Sequence, residues 1–233
     1  MKKIQIIAVS DNHCDYSFDV PEISDDVTSV LVHAGDATYT DKPTELQDFI
    51  YWMKGQTQFD YKLWIAGNHS LGIEDFPYNA EVIDNECDSM YIHDTVVEIE
   101  GLKFFGSNFT PEFNNWAFNL TERQSKIFWE NAPEVDVVVC HGPPYGYCDS
   151  VTPEYPHERP LGCKYFLEHI KRTQPLLVID GHIHGSHSQR KIMKHEDGTE
   201  TLVVNVSVMD ESYTVVAPAT VITIDDKNNV NSN

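Results

Sequence analysis

Short apolar, β-branched runs recur along the chain, and each stops at a polar or glycine-bearing turn. Residues 3–9 give way to Asp11-Asn12-His13, residues 29–33 to Gly35-Asp36, and residues 61–66 to Gly67-Asn68-His69. Residues 135–140 lead into His141-Gly142-Pro143-Pro144, and residues 176–180 into Gly181-His182-Ile183-His184. Runs that are apolar throughout, rather than alternating, predict strands covered on both faces. Residues 95–100 and 102–106, joined at Gly101, predict a hairpin, and residues 201–206 and 219–224 predict closing strands. Three helices fit between. One opens at Pro43, favoured in a first turn, and reaches about residue 54. Another begins at the capping-box spacing Thr121-Glu122-Arg123-Gln124 and reaches about residue 131. The third spans residues 161–172. This alternation predicts an α/β layered fold, with residues 1–225 as one domain and the polar residues 226–233 as a frayed tail.

The polar residues sit where predicted strands end, the edge at which open α/β sheets bind ligands. Residues far apart in sequence are therefore expected to converge there.

Composition narrows the partners. The chain has 233 residues, with 37 acidic against 16 basic, a formal net charge of -21. Long nucleic acid needs a basic surface, and no basic run exceeds two residues, Arg190-Lys191 with Lys194 nearby among them. The acidity reads as a solvated surface. No apolar stretch approaches the roughly 18–20 residues of a membrane span. The start, Lys2-Lys3 and then Ile4 to Val9, has the order of a leader peptide. Its apolar run is short, contains Gln5 and ends in Ser10-Asp11-Asn12-His13, so a first strand is expected. Cys14, Cys87, Cys140, Cys148 and Cys163 are odd in number, scattered and without a C-x-x-C pair. That pattern predicts free thiols and a cytoplasmic setting. The sequence sets no oligomeric state.

Taken singly, the turn motifs are ordinary. Together they supply His, Asp and Asn, a mixed nitrogen and oxygen donor set that suits Mn²⁺, Fe or Zn²⁺, with Mg²⁺ also open. Hydrolysing a phosphate ester requires neutralising clustered oxygens and delivering hydroxide. Two metals roughly 3.5–4 Å apart do both, and a shared carboxylate holds them together. Asp36 is the candidate. Alternation along an extended segment puts His182 and His184 on one side, which suits chelation.

In this order, D-x-H at 11–13, G-D at 35–36, G-N-H at 67–69, H-G-P-P at 141–144 and G-H-x-H at 181–184 resemble the calcineurin-like metallophosphoesterases. The resemblance extends over nearly the whole chain. It implies two mixed sheets facing each other and flanked by helices. It also implies a first metal at Asp11, His13 and His184, a second at Asn68, His141 and His182, and Asp36 shared. His69 would contact the phosphate and protonate the leaving oxygen. Asn12, beside the first ligands, is expected to hydrogen-bond the substrate. Residues 141–149, Gly162-Cys163, Gln174-Pro175 and Val204-Asn205-Val206-Ser207 further resemble the small class III cyclic-nucleotide phosphodiesterases and the animal metallophosphoesterase-domain proteins. The implied function is hydrolysis of small phosphodiesters, cyclic nucleotides among them, by in-line attack of metal-bound hydroxide. A phosphomonoesterase or protein phosphatase would use the same site, and a metal-binding scaffold without turnover is the rival of another class.

Two departures from the family pattern matter. Many members carry Asp three residues after the G-D aspartate to orient the catalytic His; here Tyr39 stands there. Ser70 follows His69 in place of an acid, and neither motif supplies an Arg. Phe104, Phe105, Phe109, Phe113, Trp116 and Phe118 read as core and loop packing, with residues 108–116 as the alternative wall of a substrate cleft. Tyr145 and Tyr147 share that alternative. His33 and Cys140 are expected behind the site in strand packing, and Cys163 in helix packing.

Overall fold

The computed structural model describes residues 3–151 and 160–232. Met1 and Lys2, which open the leader-like stretch, lie outside it, as does Asn233 of the tail. The first half runs β1 (Ile4–Val9), β2 (Thr28–Ala34), α1 (Pro43–Gly55), β3 (Tyr61–Ile65), α2 (Leu71–Asp75), α3 (Tyr78–Cys87), β4 (Met90–Tyr91), β5 (Val96–Ile99) and β6 (Leu102–Ser107). The second runs β7 (Thr110–Pro111), β8 (Asn119–Leu120), α4 (Glu122–Asn131), β9 (Val137–Cys140), α5 (Lys164–Thr173), β10 (Leu177–Asp180), β11 (Arg190–Lys194), β12 (Glu200–Asn205), β13 (Thr220–Ile224) and β14 (Val230–Ser232).

Two six-stranded sheets form, ordered β14-β13-β1-β2-β3-β4 and β11-β12-β10-β9-β6-β5. Strands β1 to β4 are parallel, as are β6, β9, β10 and β12. Alternate residues explain the continuous apolar runs. Ile4, Ile6, Val30, Val32 and Leu63 of one sheet meet Phe104, Val137, Val139, Leu177 and Ile179 of the other. The opposite faces are covered as well. Ile7, Leu31 and Trp64 pack under Phe49 and Met53 of α1 and Ile83 of α3. Val138, Cys140 and Val178 pack under Trp129 of α4 and Phe166 of α5. The result is four layers, helix-sheet-sheet-helix, in which both faces of each sheet lose water.

The capping box expected at α4 forms: Gln124 N donates to Thr121 Oγ1 at 3.4 Å, and Thr121 N donates to Gln124 Oε1 at 3.0 Å. Helix α5 starts at Lys164 rather than at 161. Cys163 is held extended, its N–H on Pro143 O at 2.9 Å and its carbonyl accepting from Tyr145 N at 3.1 Å. The short α2 and α3 and the edge strand β11 escaped the sequence reading because polar residues interrupt their apolar pattern. The tail is not frayed as expected over residues 226–232. Asp225 accepts from Lys227 N and Asn229 N at 2.8 Å each, closing a turn that returns β14 antiparallel along β13. No helix among the described residues is long and apolar enough to cross a membrane.

Candidate metal centre

The C-terminal ends of β1, β2 and β3 in one sheet meet those of β9 and β10 in the other. Ser10 stitches the two sheets, its N–H on Val206 O at 3.0 Å and its carbonyl accepting from Val208 N at 3.1 Å. The loops that leave these strands then bond to one another. Asp11 N donates to Gly35 O at 3.0 Å, His13 N to Asp36 O at 3.2 Å, and Gly181 N to His141 O at 3.1 Å. Asp11, His13, Asp36 and His182 adopt left-handed backbone conformations with φ of 55°, 39°, 53° and 64°. Each such residue costs about 1–3 kcal/mol and persists only where its surroundings demand it. Two glycines let the loops close in. A Cβ on Gly67 would strike the Asp36 carboxylate and the His141 ring, and one on Gly181 would strike Ser10 and the Asp11 carboxylate.

The seven residues named from sequence converge. Donor atoms of Asp11, His13 and His184 lie within 4.8 Å of one another, as do those of Asp36, His141 and His182. Asp36 also lies within that reach of His13 and His69. Asn68 Oδ1 is 3.0 Å from His141 Nε2, which sits 3.1 Å from Asp36 Oδ2.

Backbone carbonyls aim the imidazoles. His13 Nδ1 bonds Thr38 O at 3.1 Å, His141 Nδ1 bonds Ala34 O at 2.9 Å, and His184 Nδ1 bonds Asp210 O at 3.0 Å. A carbonyl only accepts, so each Nδ1 is protonated and each Nε2 faces the centre. The Nε2 atoms of His13 and His184 are consequently 3.3 Å apart. Two lone pairs at that separation need a proton or a cation between them, so the donor set fits divalent metal.

Electrostatics agree. Burial pushes the Asp11 and Asp36 carboxyls up, but His184 beside Asp11 and His141 beside Asp36 outweigh it and hold both below the ordinary range. Burial pushes His13 down to about 4 and, reinforced by His141, His182 down to about 3. His141 and His184 go the other way: burial lowers them, yet Asp36 and Asp11 lift each to about 9. Buried carboxylates that draw protons onto neighbouring imidazoles form a site that gathers positive charge.

Above the centre opens a cavity of about 420 Å³, whose lining includes Asp36, Asn68, His69, His182 and His184. Its rim is aromatic and acidic: Phe113, Trp116, Tyr213, Glu112 and Glu211. Among the described residues lining it there is no Lys or Arg. The 108–116 segment does form a cleft wall. Trp116 lies against His69 with ring centroids 4.2 Å apart, and Phe113 faces His182 at 5.4 Å.

The orientation of His69, which no side chain in the motifs supplies, comes from the backbone. His69 Nδ1 bonds Tyr39 O at 2.9 Å. Asp41 pins the loop that presents this carbonyl, accepting from Thr38 Oγ1 and from Ile73 N at 3.1 Å. Asn12 departs from expectation. It is fully buried and is not among the described residues lining the cavity; its Oδ1 is 2.8 Å from His33 Nε2, where it braces the loop between Asp11 and His13. Tyr147 packs in the outer core and Tyr145 lines an adjoining cavity. Tyr213 was missed, and Asn205, read from the sequence only as part of Val204-Asn205-Val206-Ser207, was given no role. Tyr213 lies 4.9 Å from both His13 and His184, and Asn205 Nδ2 holds Gly181 O and Ile183 O at 3.0 and 3.3 Å. Neither falls in a turn motif next to a ligand.

The model of the calcineurin-like phosphoesterase family matches residues 4–186. The chain belongs to that family. This calcineurin-like chain is 34% identical over 219 residues to human metallophosphoesterase domain-containing protein 1, covering 83% of this chain and 64% of that protein. It is 31% identical over 200 residues to a UPF0046 protein of Caenorhabditis elegans, covering 79% of this chain and again 64% of the relative. The matched region thus spans slightly under two thirds of these relatives. Its fold is shared with a 5′-nucleotidase precursor from Thermus thermophilus, at TM-score 0.55 and 14% identity, covering 98% of this chain and 53% of that one. The NAD nucleotidase of Haemophilus influenzae gives TM-score 0.53 at 10% identity, covering 99% of this chain and 49% of that one.

Proposed function

We propose that this chain is a metal-dependent phosphodiesterase acting on small diesters, nucleotide-derived esters and cyclic nucleotides among them. The observation that supports it best is the pair of donor triads, Asp11/His13/His184 and Asp36/His141/His182, on the floor of an aromatic cavity. Asp11, His13 and His184 would hold one cation and Asn68, His141 and His182 the other, with Asp36 shared. The mixed donor set admits Mn²⁺, Fe or Zn²⁺, of which Mn²⁺ is the metal proposed. When bound, two such cations neutralise phosphoryl oxygens and acidify water.

The protein's own groups supply the rest. The oxygen of water forms the new bond to phosphorus, the bond to one ester oxygen breaks, and that oxygen takes up a proton. His69 donates its Nδ1–H to the Tyr39 carbonyl, which turns Nε2 to the cavity; as an imidazolium it gives the Nε2 proton to the departing oxygen, and the proton shed by the attacking water restores it. Trp116 holds the imidazole plane and offers a face to a ring on the departing group. Diester rather than monoester is favoured by charge. With Glu112 and Glu211 at the rim and no Lys or Arg among the described lining residues, a monoanion enters at less cost than a dianion. The five free thiols accord with the reducing cytoplasm as its setting.

The test compares bis(p-nitrophenyl) phosphate with p-nitrophenyl phosphate in Mn²⁺ and in EDTA. Faster, EDTA-sensitive release from the diester supports the proposal. Preference for the monoester moves the activity to a phosphatase, and turnover of neither ester by the Mn²⁺-loaded protein leaves a binding scaffold.

A further inference from the structure

We propose that the cavity beside the metal cleft is a second substrate subsite, holding the ester arm that stays on phosphorus. This inference rests on the phosphodiesterase reading. The cavity measures about 370 Å³, and its lining includes Leu120, Ser125, Tyr145, Lys164 and Tyr165. It shares Pro111, Glu112 and Leu161 with the metal cleft, so the two spaces meet along one wall. Leu161, on that shared wall, is an apolar side chain 47% exposed to water. His69 and Trp116 line only the first cavity; Tyr145, Lys164 and Tyr165 line only the second.

An acyclic phosphodiester has two organic arms that diverge from a tetrahedral phosphorus. With phosphorus over the candidate ligands, the leaving arm lies toward His69, its proton donor. The retained arm then points away from His69 and crosses Leu161 into the second cavity. A 3′,5′-cyclic nucleotide ties both ester oxygens into one ring and has no separate arm to place there. Two adjoining cavities therefore match a linear diester better than a cyclic one.

The lining also defines the arm. Lys164 Nζ sits 5.6 Å from the centroid of the Tyr145 ring. No carboxylate among the described residues forms an ion pair with Lys164. No other Lys or Arg occurs among the described residues lining either cavity. A planar arm that carries hydrogen-bond acceptors, such as an aryl or nucleoside group, would lie along Tyr145 and meet the Lys164 ammonium.

The experiment keeps the leaving group constant and changes only the retained arm. Bis(p-nitrophenyl) phosphate and methyl p-nitrophenyl phosphate both release p-nitrophenol, retaining an aryl and a methyl arm respectively. The Mn²⁺-loaded wild type is expected to show a KM about tenfold lower for the aryl diester, within the range of one ring-stacking contact. Tyr145→Ala is expected to erase most of that ratio, and Tyr145→Phe to keep it. Turnover of the methyl diester by Tyr145→Ala reports that the variant is folded. If the wild type hydrolyses both esters with the same KM, or Tyr145→Ala shifts both equally, the subsite is overturned while the phosphodiesterase reading stands. If the wild type hydrolyses neither, that reading falls, and the subsite with it.

Discussion

A carbonyl oxygen orients His69. In a pattern where an aspartate side chain is expected, Tyr39 contributes its backbone instead, at 2.9 Å from Nδ1. The ring is therefore oriented without an acid at position 39. His69→Ala is expected to lower kcat on the diester by about 10²–10⁴-fold, the usual worth of general acid catalysis, while the bound metal count is unchanged. Metal analysis alongside the kinetics checks both halves, and loss of metal would make His69 a ligand. Gly67→Ala forces a Cβ against the Asp36 carboxylate and His141, and is expected to abolish Mn²⁺ binding. Isothermal titration of that variant measures it. The residues legible in the sequence were those whose side chains converge at the strand ends: Asp11, His13, Asp36, Asn68, His141, His182 and His184 all fall in turn motifs. The carbonyls of Ala34, Thr38, Tyr39 and Asp210 that aim the imidazoles were not legible, because every residue has a carbonyl and only the fold selects one. Asn12 was misread for the related reason that neighbouring a ligand in sequence says nothing of which way a side chain turns.

At the scale of elements, the strands were readable because both faces of each sheet are covered and the apolar signal is continuous. Helix α5 was displaced, since hydrogen bonds to residues 143–145 hold the stretch before it extended, a tertiary effect that local pattern omits. Strand β14 was missed for the same reason: a polar segment pairs by its backbone once Asp225 closes the turn. Between α4 and α5, His169 is buried beside Trp129, and its Nε2 has no hydrogen-bond partner among the described residues. Burial, with Arg172 adding to it, pushes this imidazole down to about 4. An unfolded chain protonates the same group near 6.5. Between those values the unfolded state holds the extra proton, so stability is present above pH 6.5 and is lost as pH falls toward 4. The full shift corresponds to about 3 kcal/mol. Thermal melts from pH 7 to 4 are expected to show a shallower decline in His169→Gln than in the wild type. Equal slopes would remove His169 as a source of that decline.

For the whole molecule, charge and layering act together. Two sheets packed face to face bring their C-terminal strand ends together, so that residues as distant as Asp11 and His184 come into contact, and the chain carries a formal net charge of -21. Such a field repels a dianionic monoester more than a monoanionic diester, and salt screens it over about 10 Å at 0.1 M. Raising NaCl from 0.02 to 0.3 M is expected to lower KM for p-nitrophenyl phosphate several-fold more than KM for the diester. Parallel changes would place the selectivity elsewhere. In the proposed mechanism two cations share Asp36 and turnover depends on both. Its most direct measurement is a titration of metal-stripped protein with Mn²⁺, following bound metal and hydrolysis of bis(p-nitrophenyl) phosphate in the same samples. Two Mn²⁺ per chain are expected, with activity that rises with the second, and neither binding nor turnover in Asp36→Asn at the same concentrations. Full activity at one Mn²⁺ per chain, or in Asp36→Asn, would contradict it.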